Sequence, residues 1–121
     1  MKTTKQEFGQ KGEELAEEYY RDHNFVILEK NWRHNHLEVD LIVMNNEYIV
    51  FCEVKTRSYT AFGEPETFVT TQKQSNIIRA ANYYVKCKNI SKDVRFDIIS
   101  VTTCGKEYQV HHIPDAFKPK W

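Results

Sequence analysis

Long hydrophobic runs are missing from this sequence. None of its 121 residues belongs to an apolar stretch near the roughly 18 residues that a membrane helix needs. The opening M-K-T-T-K-Q-E-F also lacks the apolar centre of a secretory signal. The expectation is a cytoplasmic protein with no membrane partner. Cysteine is scarce: Cys52, Cys87 and Cys104 are odd in number, far apart and without a C-x-x-C. That argues for reduced thiols and against both a disulfide framework and a zinc-thiolate site. Cys52, in an apolar run, is most simply core filler. Net charge is absent too, with 17 Lys and Arg against 17 Asp and Glu. Neutrality counts against strong non-specific DNA binding, where a basic surface supplies most of the affinity. Internal repeats, linkers and low-complexity segments are also lacking, so 121 residues predict one domain around one core.

The charges that are present are unevenly spread. Acids cluster at Glu13, Glu14, Glu17 and Glu18, while bases recur at Lys55, Arg57, Lys73, Arg79, Lys86, Lys88 and Lys92. A basic groove on a neutral protein and a scatter of solvated surface charges both fit this order.

The most informative stretch is Leu37 to Arg57, L-E-V-D-L-I-V-M-N-N-E-Y-I-V-F-C-E-V-K-T-R. Two β-branched apolar runs flank Asn45-Asn46, which predicts a β-hairpin. A two-residue loop sets Met44 against Glu47, Glu38 against Glu53 and Asp40 against Phe51. Alternation then projects Glu38, Asp40, Glu53 and Lys55 from one face and leaves Val39, Leu41, Val43, Val50, Cys52 and Val54 on the other. A four-residue loop preserves that parity, whereas a three-residue loop separates the acids. Ile42, Ile49 and Phe51 make the acidic face apolar as well, so both sides look covered by protein.

Three carboxylates at one end of a covered sheet need compensation. Like charges opposed across strands destabilise the pairing, and a buried carboxylate either holds its proton or finds a cation. Lys55 supplies one positive charge; a hard divalent ion such as Mg²⁺ would supply the rest. The competing reading is a solvated sheet end carrying a Glu/Lys pair.

Around the hairpin, a helix is predicted from about Gln6 to His23, with Phe8, Leu15, Ala16 and Tyr19 on its apolar stripe. Glu13 and Glu18 flank that stripe on opposite sides, and periodicity does not choose between them. Phe25 to Leu28 suits a strand covered on both faces at its start, continuing to Trp32. His34-Asn35-His36 turns into the hairpin, and this H-x-H is either solvated or a transition-metal pair without a marked third ligand. Ser58 to Val69, with Gly63, Pro65, Tyr59, Phe62 and Phe68, reads as a long loop whose aromatics either stack on unpaired bases or pin the loop to the core.

Thr70 or Thr71 caps a second helix reaching about Lys88, buried along Ile77, Ile78, Ala80, Ala81, Tyr84 and Val85. Its first turn carries Lys73 and Gln74, which either point into a site beside the sheet or are simply wet. Val94 to Thr102 is a further strand, parallel to a neighbour because a helix connects them. Lys106 to His111 adds a short last strand, and Ala116-Phe117 anchors the tail.

Asp40 followed by Glu53-Val54-Lys55 resembles the D…(D/E)-x-K signature of the PD-(D/E)xK nuclease superfamily. The wider chain resembles the small bacterial YraN family. The matching stretches are G-x-x-G-E-x-x-A-x-x-Y at Gly9 to Tyr19, N-W-R at Asn31 to Arg33, E-V-D-L-I at Glu38 to Ile42 and F-C-E-V-K-T-R at Phe51 to Arg57. Lys73-Gln74, A-A-N-Y-Y at Ala80 to Tyr84, R-F-D at Arg95 to Asp97 and H-x-x-x-A-F at His112 to Phe117 match as well. One departure is Leu37, where that family usually has glycine.

This resemblance implies a single α/β domain of restriction-endonuclease-like type, an αβββαβ core with a mixed central sheet flanked by helices. It implies a metal-dependent nuclease similar to archaeal Holliday-junction resolvases, acting on DNA, branched or junction DNA included, with a homodimer as the form in which such resolvases cut. Asp40, Glu53, the Val54 carbonyl and Glu13 would hold Mg²⁺ or Mn²⁺, and Lys55 would serve the attacking water. Glu38 would be a further ligand or an outer partner, and Lys73 and Gln74 would contact phosphate. The alternative is a non-catalytic nucleic-acid-binding module of the same fold.

Overall fold

The computed structural model describes residues 4–58 and 69–119. The predicted aromatic loop therefore lies, apart from its ends, outside the described residues. Helix α1 spans Thr4–Asp22, and α2 spans Thr71–Cys87. The N-cap of α2 is Thr70, whose hydroxyl accepts the Lys73 amide at 3.1 Å and satisfies one donor of the first turn. The described residues also contain five strands: β1 Val26–His34, β2 Leu37–Met44, β3 Tyr48–Ser58, β4 Asp93–Cys104 and β5 Glu107–Ile113. They form one mixed sheet in the order β1-β2-β3-β4-β5. Only β3 and β4 run parallel, and they are the pair joined through α2, as a helical connection requires. The αβββαβ order with a final edge strand is that expected.

The sheet separates two hydrophobic clusters. On the α2 side, Ile42, Ile49, Phe51, Phe96 and Ile98 pack with Ile77, Ala80, Ala81 and Tyr84. On the α1 side, Leu41, Val43, Val50, Cys52, Ile99 and Val101 pack with Ala16 and Tyr20. Cys52 is fully buried there as an apolar filler. At the start of β1, Ile27 packs on the α1-side cluster and Leu28 on the α2-side cluster, as expected of a strand covered on both faces, while Val26 is 63 % exposed. With β2 as its one partner in the sheet, β1 is an edge strand.

The hairpin register also differs from the two-residue-loop expectation. Ile42 faces Phe51 and Met44 faces Ile49, so the loop has four residues. Asn45 explains the difference, because its side-chain oxygen accepts the amides of Glu47 at 2.9 Å and Tyr48 at 2.8 Å. This Asx-type turn satisfies the loop's own donors and lengthens it.

Simple alternation fails once. Leu41 and Val43 belong to the α1-side cluster, whereas Val39 and Leu37 belong to the α2-side cluster. The switch falls at Asp40, flanked on β1 by the pairs Lys30↔Leu41 and Trp32↔Val39. Between those two β1 residues lies Asn31, in the left-handed region at φ 51°, where Asn is one of the few residues comfortable.

Candidate metal centre

The described ladder between β2 and β3 ends at Leu41↔Cys52. Beyond it β2 stays paired to β1 as far as Leu37, and β3 stays paired to β4 as far as Ser58. The sheet therefore forks, and Asp40 and Glu53 stand where it opens. Across the opening the Val54 amide donates to Asp40 Oδ2 at 2.8 Å, a side-chain bond in place of the missing ladder.

Glu53 is 3 % exposed. The Lys73 ammonium of α2 lies 2.8 Å from its Oε2, and Lys55 on its own strand lies 3.9 Å away. Both ammonium groups pair with the Glu53 charge, although the geometry at Oε2 falls short of an ideal hydrogen bond. Burial, then the hydrogen bond and charge of Glu53, push the Asp40 carboxyl up to about 8; the Val54 amide opposes this and the charge of Glu13 adds to it. Asp40 therefore keeps its proton at neutral pH. Burial pulls the Lys73 ammonium down, but Glu53, Asp40 and Glu38 together raise it above its ordinary value.

Glu13 reaches this end of the sheet from α1, because Gly12 lets the helix lie against β3. A Cβ at Gly12 would run into Thr56 Oγ1, with Thr56 Cβ at 3.0 Å. Glu13 Oε1 accepts from the Asn31 amide at 3.2 Å, so it is tied to β1 beside Asp40. Glu18, the rival from periodicity, is exposed. The buried acid of α1 is instead Glu17, 8 % exposed, paired with Lys30 at 3.6 Å and Arg21 at 3.4 Å.

Other expected members lie aside. Glu38 is exposed and pairs with Arg33 at 3.0 Å across the β1–β2 ladder. The Gln74 amide donates to the Val69 carbonyl at 3.0 Å and so ties down the start of α2. His34 stacks on Tyr83 at 3.9 Å between ring centroids. Leu37, in the position of the missing glycine, is buried in the α2-side core. Among the described residues no group of three His, Cys, Asp or Glu side chains is gathered closely enough to hold a metal.

The sequence reading missed a second polar cluster. Asp97, fully buried on β4, accepts from Tyr20 at 2.8 Å, from Arg95 through two bonds of 2.9 Å and from the Asp115 amide at 3.0 Å, and lies 2.7 Å from His112 Nε2. Its signal was a lone aspartate inside the apolar run of V-R-F-D-I-I.

The sequence model of the family described as Uncharacterised protein family UPF0102 matches residues 12–101. The chain belongs to the UPF0102 family. It is 40 % identical to a UPF0102 protein of Bacteroides fragilis over 111 residues, covering 92 % of each chain. It is 41 % identical over 111 residues to one from Geobacter metallireducens, covering 91 % of each. A UPF0102 protein of Alkaliphilus oremlandii is 40 % identical over 109 residues, covering 88 % of this chain and 93 % of its own.

The matched UPF0102 region begins at Gly12, the residue that seats α1, and includes Glu13, Asp40, Glu53, Lys55 and Lys73. The donors of this UPF0102 centre fit a hard cation. Buried Glu53 and half-buried Asp40 stand together, and burial with the charge of Glu53 raises the Asp40 carboxyl. With two side-chain ligands the site would leave several positions of such an ion to water and substrate oxygens, as Mg²⁺ commonly requires.

Proposed function

We propose that this UPF0102 protein hydrolyses phosphodiester bonds of DNA, with Mg²⁺ or Mn²⁺ held by Asp40 and Glu53. The observation that carries the reading is Glu53, 3 % exposed and paired with Lys73, beside an Asp40 carboxyl that burial and Glu53 push upward. A bound divalent ion would polarise the phosphoryl oxygen and lower the pKa of the attacking water. Asp40 and Glu53 would hold it, with the Val54 carbonyl as a further donor and Glu13 helping from α1. Lys55, half-buried and 3.9 Å from Glu53, orients the attacking water or neutralises charge that develops on the phosphate. With an ion on Glu53, the Lys73 ammonium would be available to contact a phosphate oxygen. Branched DNA and a homodimer follow from the likeness to junction resolvases, and a cytoplasmic location from the reduced-thiol reading.

One observation favours a second reading, a non-catalytic nucleic-acid-binding module. The Lys73 ammonium already lies 2.8 Å from Glu53 and offsets part of its charge without any ion. The deciding experiment incubates the purified protein with Mn²⁺ or Mg²⁺ and a panel of duplex, single-stranded, flap and four-way DNA. Cleavage by the native chain and none by Glu53→Gln or Lys55→Ala is expected. Cleavage that survives both substitutions removes the mechanism, and strand binding without cleavage by any protein favours the module.

A further inference from the structure

A strip of aromatic rings runs along the outer edge of the α2 face, beginning beside the fork. Trp32 of β1 lies 6.3 Å from His34 at an interplanar angle of 27°, and His34 lies 3.9 Å from Tyr83 of α2 at 15°. Tyr83 also lies 6.2 Å from Trp32, which meets Tyr84 edge-on at 5.7 Å. The inner end of the strip is core packing, since Trp32 rests on the α2-side cluster. Its outer end is not: His34 covers the Tyr83 ring on one side, yet Tyr83 remains 40 % exposed.

Charge and position accompany the rings. Arg33 and Lys88 line a concavity of about 230 Å³ together with Trp32, His34, Tyr83 and Tyr84. Two acids beside the strip are engaged, Glu38 by Arg33 at 3.0 Å and Glu29 by the Tyr84 hydroxyl at 3.0 Å. Trp32 pairs with Val39, the neighbour of Asp40. One strand spacing, about 4.8 Å, therefore separates the first ring's backbone from the strand that carries Asp40.

From this placement we propose that Tyr83 and His34, with Arg33 and Lys88, form a stacking platform for unpaired bases of a DNA strand whose backbone passes the Asp40–Glu53 fork. A flat ring accepts any base face, and adjacent cations meet the phosphates. The ligand class rests on the nuclease reading. It deepens that reading by making the preferred substrate one with an unpaired segment, since bases inside a duplex present no free face. Neutral net charge fits the arrangement, because stacking supplies affinity that a uniformly basic surface would otherwise provide.

The test measures fluorescence anisotropy of a labelled oligothymidylate titrated with the protein in EDTA, so that no metal chemistry enters. Saturable binding is expected, weaker for an abasic strand of equal length and for a blunt duplex. Tyr83→Ala and His34→Ala should each weaken it about 5- to 100-fold, while Tyr83→Phe keeps it and thermal unfolding of the variants stays near native. Equal affinity for the abasic strand, no binding at all, or an unchanged Tyr83→Ala overturns the platform. Tighter binding of oligouridylate overturns its assignment to DNA. Cleavage in Mn²⁺ with unaltered Tyr83→Ala binding sinks the platform and spares the nuclease. Stacking-dependent binding without cleavage does the reverse.

Discussion

The Val54 amide donates to the Asp40 carboxylate at 2.8 Å across the point where β2 and β3 part. One side chain thus satisfies a backbone donor and also faces the buried Glu53. The bond favours the ionised form of Asp40, whereas burial and Glu53 favour the protonated form and prevail.

The sign of the resulting pH effect follows. Asp40 ionises near 4 in the unfolded chain and at about 8 in the folded one, so between those values the folded state holds the extra proton. Without divalent ions, stability should fall as pH rises through that window. Asp40→Asn, which still offers an acceptor to Val54, should flatten the slope and raise the melting temperature at pH 8. Thermal melts in EDTA check this; a native protein more stable at pH 8 than at pH 5, with no change in Asp40→Asn, would contradict it. Adding Mn²⁺ at neutral pH should release about one proton per ion, measurable in buffers of different ionisation enthalpy.

Lys73 and a cation would compete for the same Glu53 oxygen. Lys73→Ala should therefore bind Mn²⁺ more tightly than the native chain, as read by calorimetry, while losing affinity for DNA in the presence of that ion. Weaker Mn²⁺ binding would show that Lys73 supports the site rather than occupies it.

Gly12→Ala places a methyl group into Thr56. The cost should be about 1–3 kcal/mol in urea unfolding, the range for overpacked positions. Thr56→Ala in the same chain should recover part of it, because the Oγ1 and Cγ2 contacts disappear. Additive losses in the double variant would mean that the two residues do not oppose each other.

Asp97 predicts acid sensitivity elsewhere. Burial raises its carboxyl, but His112, Arg95 and the Asp115 amide outweigh burial and lower it from 3.8 to about 2. A depressed carboxylate stabilises the fold above its unfolded pKa, and that contribution is lost as pH falls from about 4 through 2. The shift corresponds to about 2 kcal/mol. Asp97→Asn should lose this acid-dependent portion and leave Arg95 without its partner, a cost of about 3 kcal/mol or more. Urea titrations at pH 7 and pH 3 separate the two effects; equal native stability at both would refute the assignment.

The element order was legible because each segment carries its own period, from the Ala16 stripe of α1 to the alternating hairpin strands. The sequence also offered Thr70 or Thr71 as the cap, and the helical connection marked the parallel pairing of β4. The register was not legible. It depends on Asn45 bonding its own turn, and Asn45-Asn46 reads equally well as a shorter loop. Nor could alternation foresee the switch at Asp40, which faces a left-handed Asn31 on another strand. Asp40, Glu53 and Lys55 were visible as a motif and Lys73 as a phosphate contact, and the structure sets the Lys73 ammonium against Glu53, twenty residues upstream. The pairings of Glu17 and Asp97 were not legible because their partners come from distant segments.

The forked sheet makes the domain resemble a pair of tweezers. The β1–β2 arm and the β3–β4–β5 arm are joined through the ladder from Leu41↔Cys52 to Met44↔Ile49, and Asp40 and Glu53 sit just past that joint on opposite arms. Any flexing at the joint changes the gap between the two acids. An ion gripped by both would act as a rivet, coupling occupancy of the centre to the stiffness of the whole sheet.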